Sequence, residues 1–214
     1  MKIRIVAGGP EHLIPDLKEY DSTTDCLWIG VDRGTLFLLR QEIVPQYAFG
    51  DFDSVTAAEK NMILHKEIKV NLYRSEKDLT DMEIAVEWAL EQSPEELLLF
   101  GATGGRLDHE LMNTQLLYKS RFSKVDVRII DIRNEISLKL PGTYEVEQDK
   151  KYTYFSFLSH SEVVKGITLK GFKYPLDNAD LKAGSSLCIS NELVNKSGTY
   201  SFDCGIILMV KSRD

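Results

Sequence analysis

The spacing of apolar residues changes once along this chain, near residue 134, and that change limits what it can fold into. Before it, short apolar runs at Ile3 to Ala7, Cys26 to Val31, Tyr47 to Phe49, Ile68 to Leu72, Leu97 to Phe100 and Val125 to Ile132 alternate with segments of helical period. The clearest helical segment sets Met82, Ala85, Val86, Ala89 and Leu90 on one face. A second runs from about Leu107 to Tyr118. Strands separated by helices predict a mostly parallel sheet covered on both faces. Beyond residue 134 the helical period is lost. Pro141-Gly142, Lys165-Gly166, Gly171, Gly184 and Gly198 punctuate short runs of β-branched and aromatic residues, and Tyr152 to Leu158, Val163 to Leu169, Ser186 to Ser190 and Ile206 to Val210 read as strands. Such spacing suggests a sandwich or a barrel. The expected organisation is an α/β domain over residues 1–134 and an all-β domain over 135–214, with the boundary near Arg133 to Ser137.

Composition narrows the function. The 214 residues carry a net charge of −7, against a nucleic-acid binder with its basic stripe, and 43% hydrophobic residues are enough for a buried core. Cys26, Cys188 and Cys204 are odd in number and far apart, which fits buried thiols in a reducing cytoplasm better than a disulfide framework or a zinc site. The run from Lys2 to Ala7 reads as a strand rather than a signal peptide, and no apolar run reaches the ~20 residues needed to span a bilayer. His12, His65 and His160 lack metal-like spacing and are expected at the surface.

Three segments carry the chemistry, and each follows a predicted strand. In Gly50-Asp51-Phe52-Asp53-Ser54, residues i and i+2 of an extended chain share a side, so Asp51 and Asp53 could share one cation. An acidic turn in which Asp53 or Ser54 starts the next helix near Thr56 has the same appearance. In Lys77-Asp78-Leu79-Thr80-Asp81-Met82-Glu83, Thr80 and Glu83 form a capping box that starts a helix at Asp81. Acids in a first turn complement the helix dipole, so Asp81 and Glu83 need no metal to explain them, whereas Lys77 and Asp78 precede the cap. In Gly101-Ala102-Thr103-Gly104-Gly105-Arg106-Leu107-Asp108-His109, glycines permit close approach of a polyphosphate and Arg106 offers a fork of donors. It is neither a Walker A loop nor GxGxxG. His109 is open to two readings, a base or a structural partner of Asp108, and Asn113 lies one helical turn beyond it.

Ligands of open α/β sheets bind beyond the carboxyl ends of the strands, so these segments should gather at one edge, with Gly8-Gly9 and Asp32-Arg33-Gly34 lining it. Acids for a metal together with glycines and an arginine for phosphates are what phosphoryl transfer from a nucleotide requires.

The blocks Asp51-Phe52-Asp53-Ser54, Lys77-Asp78-x-Thr80-Asp81 and Gly104-Gly105-Arg106-x-Asp108-His109, followed by Gly171-Phe172-Lys173-Tyr174-Pro175-Leu176 and Ile189-Ser190-Asn191-Glu192, resemble those of the thiamine pyrophosphokinase family, bacterial type. The resemblance covers nearly the whole chain. It implies a Rossmann-like α/β nucleotide domain, a C-terminal β-sandwich that binds thiamine and dimerises, and a homodimer with active sites between subunits. It further implies transfer of the diphosphate of ATP to the thiamine hydroxyl, with release of AMP. Asp51, Asp53 and Asp81 would hold Mg²⁺, with Asp78 as an activating acid. Arg106 and the Thr103-Gly104-Gly105 turn would contact the ATP phosphates, and Asp32, Asp108, His109 and Asn113 would complete the nucleotide site. Ser190 and Asn191 of the partner subunit would contact the aminopyrimidine of thiamine. Two positions depart from the pattern. Arg33 stands where some relatives have glycine, and Ile206 to Val210 lacks the tryptophan that packs on thiamine in some relatives. Two other readings keep fewer of these features: a Mg-dependent diphosphokinase or nucleotidyltransferase with another acceptor, and a ligand-binding module without turnover.

Overall fold

The computed structural model describes residues 1–21, 25–52, 55–64, 66, 68–72 and 78–214. The chain divides into two compact units, Met1–Ile132 and Arg133–Asp214.

In the first unit, the strands β1 (Lys2–Val6), β2 (Cys26–Val31), β3 (Tyr47–Gly50), β4 (Lys69–Leu72), β5 (Glu96–Phe100) and β6 (Asp126–Ile130) are all parallel. Their order is β4-β3-β2-β1-β5-β6. Successive strands are added in one direction as far as β4, and β5 then returns to the far side of β1. The order therefore reverses between β1 and β5. Buried on both faces, the central strands are nearly continuous apolar runs, with Ile3, Ile5, Val6, Ile29, Leu97, Leu99 and Phe100 fully buried. Arg4 is the exception, a buried cation whose Nη2 donates to Glu96 Oε1 at 2.5 Å, and Arg128 pairs with the same carboxylate.

Four α-helices belong to this unit among the described residues: α1 (Gly34–Arg40), α2 (Ala57–Leu64), α3 (Asp81–Glu91) and α4 (Leu107–Leu116). The expected apolar face of α3 is the one it buries, with Met82, Ala85, Val86 and Ala89 inside. Half-buried Trp88, on the same helix, packs its ring 4.5 Å from that of Tyr47 and 5.8 Å from that of Phe49. Helix α4 is shorter than its sequence pattern and passes into a 3-10 turn at Leu117–Phe122. Two threonines start helices. Thr80 Oγ1 accepts from Glu83 N at 3.1 Å, while the Glu83 carboxylate pairs with Lys119 at 2.9 Å. Thr56 makes the complete box, its Oγ1 accepting from Glu59 N at 3.3 Å and its N–H donating to Glu59 Oε2 at 2.9 Å.

The loops after β1 and β5 meet backbone to backbone. Ala7 N donates to Phe100 O at 2.8 Å and Gly9 N to Gly101 O at 2.9 Å. A Cβ on Gly9 would lie 2.4 Å from Gly101 O, and one on Gly101, where φ is +62°, would lie 2.3 Å from Ala7 O. Only glycine allows this approach.

The second unit is all β. Strands β7 (Asn134–Lys139), β9 (Tyr154–Ser159) and β13 (Ile207–Ser212) form one antiparallel group with β13 in the middle. Strands β8 (Gly142–Glu147), β10 (Val163–Lys170), β11 (Leu176–Lys182) and β12 (Ser197–Phe202) form a second, in the order β11-β10-β12-β8. A shared core joins Phe155, Phe157, Ile207 and Met209 of the first group to Val164, Ile167, Leu169, Leu181, Tyr200 and Phe202 of the second.

Several expectations are corrected. Ser186 to Ser190 is a series of turns, because Ser190 takes φ +54° and the segment runs irregularly along β9, with Phe157 N donating to Cys188 O and Phe155 N to Asn191 O. Strands β7, β8, β11 and β12 were not anticipated. Of the three thiols only Cys188 is buried, and burial pushes it up to about 11; Cys26 is half-buried and Cys204 exposed. His160 is half-buried rather than at the surface, and His65 lies outside the described residues. Among the described residues no helix is long and apolar enough to cross a membrane.

Two stability outcomes are expected. Phe157→Ala should lower unfolding free energy by about 3–5 kcal/mol through the cavity it leaves, read by urea titration. Gly101→Ala should destabilise by more than the ~0.4–1 kcal/mol that a Gly→Ala exchange gains at a compatible site, since it adds both positive-φ strain and a clash with main chain. Thermal melts check it.

Candidate active site

The first unit contains a cleft of about 650 Å³ at the carboxyl ends of its strands. It opens where the strand order reverses, the position at which parallel sheets leave a crevice between diverging loops. Four segments line it: Ala7, Gly8 and Gly9 after β1; Val31, Asp32 and Arg33 at the end of β2; Asp78 to Met82 at the start of α3; and the stretch after β5 that continues into α4.

The last of these, residues 101–106, is built in two halves. Gly101, Ala102 and Thr103 are buried, and each is tied down by a different part of the unit. Gly9 N holds Gly101 O, Asn113 Nδ2 donates to Ala102 O at 2.8 Å, and Thr103 Oγ1 donates to Asp131 Oδ2 at 2.7 Å. Gly104, Gly105 and Arg106 are exposed, with Gly104 at φ +76°. Their donors face carboxylates. Gly104 N donates to Glu110 Oε2 at 2.8 Å, and Arg106 grips Asp108 through Nε at 3.1 Å and Nη2 at 2.6 Å. That grip holds the Asp108 carboxyl below its usual range. The pair is exposed on both sides, and such pairs contribute little free energy in water.

Asp108 and His109 are therefore not paired through their side chains. The Asp108 carboxylate goes to Arg106, and the contact with His109 is from its backbone N–H at 3.0 Å. Exposed His109 lines the cleft, as does Asn113, whose amide serves the turn.

The acidic residues divide. Asp32, Asp78 and Asp81 line the cleft. Asp32 takes φ +49° and presses against the next strand, where a Cβ on Gly50 would lie 2.0 Å from its Oδ1. Asp51 is half-buried just after β3, at the same sheet edge but outside the set that lines the cleft. It sits between Gly50 at φ +140° and Phe52 at φ +55°, an uncommon backbone for a bulky residue. The Phe52 ring, 4% exposed, is anchored with Leu36, Ala48 and Ile63, so burial of one side chain fixes the turn that carries the carboxylate. Asp53 and Lys77 lie outside the described residues. The alternative in which Asp53 or Ser54 starts the next helix also lies outside the described residues; at the start of α2, Thr56 Oγ1 accepts from Glu59 N.

Among the described residues no three His, Cys, Asp or Glu side chains stand close enough to cage a metal by themselves. The donor set nevertheless fits Mg²⁺, which takes hard oxygen ligands, usually one or two carboxylates with waters and substrate phosphates.

In the second unit, Ser190 is exposed and its N–H donates to Ser156 Oγ at 2.9 Å. Asn191 is 2% exposed and its amide is occupied: Nδ2 donates to Tyr174 O at 2.8 Å, and Oδ1 accepts from Tyr174 N and Glu192 N, each at 3.0 Å.

Two residues of the cleft region escaped the sequence reading, Glu110 and Asp131. Asp131 directly follows β6, the same relation to a strand that drew attention to Asp51, but the run read from Val125 to Ile132 places it inside the strand and hides that relation.

The fold and site can be set beside known proteins. The family model for the thiamin pyrophosphokinase catalytic domain matches residues 20–129, and the one for the thiamin pyrophosphokinase vitamin B1 binding domain matches residues 143–207. Over 212 residues the chain is 49% identical to thiamine pyrophosphokinase of Bacillus subtilis, covering 99% of each. A crystal structure of thiamine pyrophosphokinase from Bacillus subtilis matches all of both chains with a TM-score of 0.95. That of thiamin pyrophosphokinase from Geobacillus thermodenitrificans, also 49% identical, gives 0.92 over 100% of this chain and 98% of its own. By sequence throughout its length, and by fold, the chain belongs to the thiamine pyrophosphokinase family.

Proposed function

We propose that the cleft at the β1/β5 reversal receives the triphosphate of ATP with Mg²⁺ beside it, and that Asp51, Asp53 and Asp81 hold the metal. Thiamine pyrophosphokinases are ATP-dependent diphosphotransferases that make thiamine diphosphate, and this chain is one of them. The observation that carries the site reading is the meeting, in one cleft, of Asp78 and Asp81 with Gly105 and Arg106, from segments far apart in sequence.

In the reaction the thiamine hydroxyl oxygen bonds to the β-phosphorus of ATP, the bridge from that phosphorus to the α-phosphate oxygen breaks, and AMP leaves. The hydroxyl proton goes to a base, for which Asp78 is our candidate. When bound, Mg²⁺ neutralises charge on the phosphate oxygens. Arg106 releases Asp108 and turns its fork to the phosphates, while the Gly104 and Gly105 amides supply neutral donors. The Thr103 hydroxyl donates its hydrogen bond to Asp131, so this residue serves the phosphates through its main chain. Asp32, His109 and Asn113 shape the nucleotide site, Asn113 by holding Ala102 O.

The finer architecture belongs to the same proposal: a Rossmann-like arrangement in residues 1–134, a β-sandwich in residues 135–214 and a homodimer with shared sites. The reversal of a parallel sheet beside the cleft supports the first, and two antiparallel groups around one core support the second. For the third, α4 leaves Leu107 and Leu111 67% and 59% exposed beside the cleft, and Tyr174 and Val194 are similarly open near Ser190. Ser190 of the partner subunit would contact the aminopyrimidine, and Asn191 of the partner subunit would hold that turn.

Three outcomes are expected. AMP should appear from ATP only when thiamine and Mg²⁺ are both present; ADP instead, or AMP indifferent to thiamine, contradicts the reading. Asp51→Asn, Asp53→Asn and Asp81→Asn should each lower kcat by on the order of 10²-fold or more while the protein stays folded by circular dichroism. If sites are shared, mixing an Asp81→Asn protein with a Ser190→Tyr protein under subunit exchange should restore activity to about a quarter of wild type, the share of intact sites in a random mixture of dimers. No recovery between fully exchanged subunits would count against the shared site.

A further inference from the structure

We infer that Asp131 is a positioning residue for diphosphate transfer, holding through the Thr103 hydroxyl the turn that presents Gly105 and Arg106 to the cleft. The inference rests on the reading that this turn receives the polyphosphate.

Asp131 is 5% exposed and Thr103 7% exposed, and their side chains meet at 2.7 Å. Burying a carboxylate costs free energy that an apolar pair of similar volume would not. Packing alone therefore does not account for the choice. A carboxylate does what an apolar group does not: it fixes the direction of the hydroxyl and so the rotamer of Thr103. The residue needs that restraint. Just beyond it the chain is exposed and turns through Gly104 at φ +76°, a position glycine adopts but does not enforce. Gly101 is held by the loop after β1 and Ala102 by α4. The tie to Asp131, after β6, is the last one before the exposed half. With three anchors from three elements, the glycine turn leaves the buried sheet at a set height and angle.

The second consequence concerns charge. A hydroxyl that donates inward presents only lone pairs outward, so its oxygen suits a cation, an ordered water or an amino group and repels a phosphate oxygen. Asp131 thus also keeps the Thr103 hydroxyl from competing with the main-chain donors for the polyphosphate.

The test compares Asp131→Ala, Asp131→Asn and Thr103→Val with Arg106→Ala as a control, reading kcat, KM for ATP, KM for thiamine and melting temperature. Misplacement of a phosphate-binding turn by ~1 Å can cost up to about 100-fold. Asp131→Ala and Thr103→Val should therefore each lower kcat/KM for ATP by about tenfold or more, with KM for thiamine unchanged. Asp131→Asn, which keeps an acceptor oxygen, should stay within about threefold of wild type. The double variant Asp131→Ala/Thr103→Val should be no worse than either single one, because both remove the same link. Unchanged ATP parameters in folded Asp131→Ala and Thr103→Val, or additive losses in the double variant, would overturn the inference. Should Asp131→Ala not fold, Thr103→Val against Asp131→Asn decides it alone. Arg106→Ala separates the two levels: if it leaves KM for ATP and kcat untouched, the polyphosphate reading itself fails, whereas a large effect there with none at Asp131 removes only the positioning role.

Discussion

Two stretches of main chain, Ala7–Gly9 and Gly101–Thr103, approach so closely that no side chain fits between them, and the cleft follows from that approach. The Gly9 N–H to Gly101 O bond, at 2.9 Å, ties the loop after β1 to the loop after β5 at the place where the sheet reverses its order. Diverging loops at such a reversal leave a crevice, but a crevice alone has no fixed floor. Tying the two loops by main-chain hydrogen bonds supplies the floor and satisfies buried polar groups that would otherwise cost free energy. Helix α1 begins against this floor, since a Cβ on Gly34 would lie 1.8 Å from Val6 O.

On that floor the turn after β5 separates anchoring from binding. Its buried half is held by three hydrogen bonds and its exposed half has donors facing carboxylates. Glu110 and Asp108 stand where an anion would be received, which satisfies the donors without burying them. Exposed charge pairs in water are worth little, so a polyphosphate carrying several charges and a cation can displace them at small cost. On the proposed reading the acids of the cleft act on the metal rather than on the phosphates. Among the described residues the carboxylates are too few to cage an ion alone, and on that reading metal and nucleotide bind best together.

Much of this was legible in the sequence, for reasons that can be named. Strands buried on both faces are continuous apolar runs, and β1, β2 and β5 were readable as such. Thr80 and Glu83 fixed the start of α3, and the apolar stripe of that helix fixed its inner face. The second unit was less legible because its strands show one face to solvent. In β11, Leu181 is the one fully buried residue, and the rest of Leu-Asp-Asn-Ala-Asp-Leu-Lys reads as a loop. Ser186 to Ser190 failed in the opposite sense: it runs beside β9 through turns, burying Cys188 and leaving Leu187 and Ile189 exposed. At the site, residues that follow β1, β2, β3 and β5 were found by position, while Asp131, after β6, was not. Partnerships were not: that Asp108 goes to Arg106 and that Asp131 goes to Thr103 depends on side-chain directions that spacing does not encode.

The two units share one way of setting a functional turn. In the first, buried Asp131 holds Thr103 just before the glycines. In the second, buried Asn191 clamps both the N–H and the carbonyl of Tyr174 and caps Glu192 N, beside exposed Ser190. Each places a polar side chain inside the protein, where an apolar one would pack at lower cost. Apolar contact is non-directional and leaves a glycine-bearing or positive-φ turn several orientations of similar energy. A hydrogen bond to a fixed partner removes all but one of these orientations. The polar interior here sets direction more than it adds stability: it converts a well-packed fold into a pair of aimed turns, the two that the proposed function assigns to substrate.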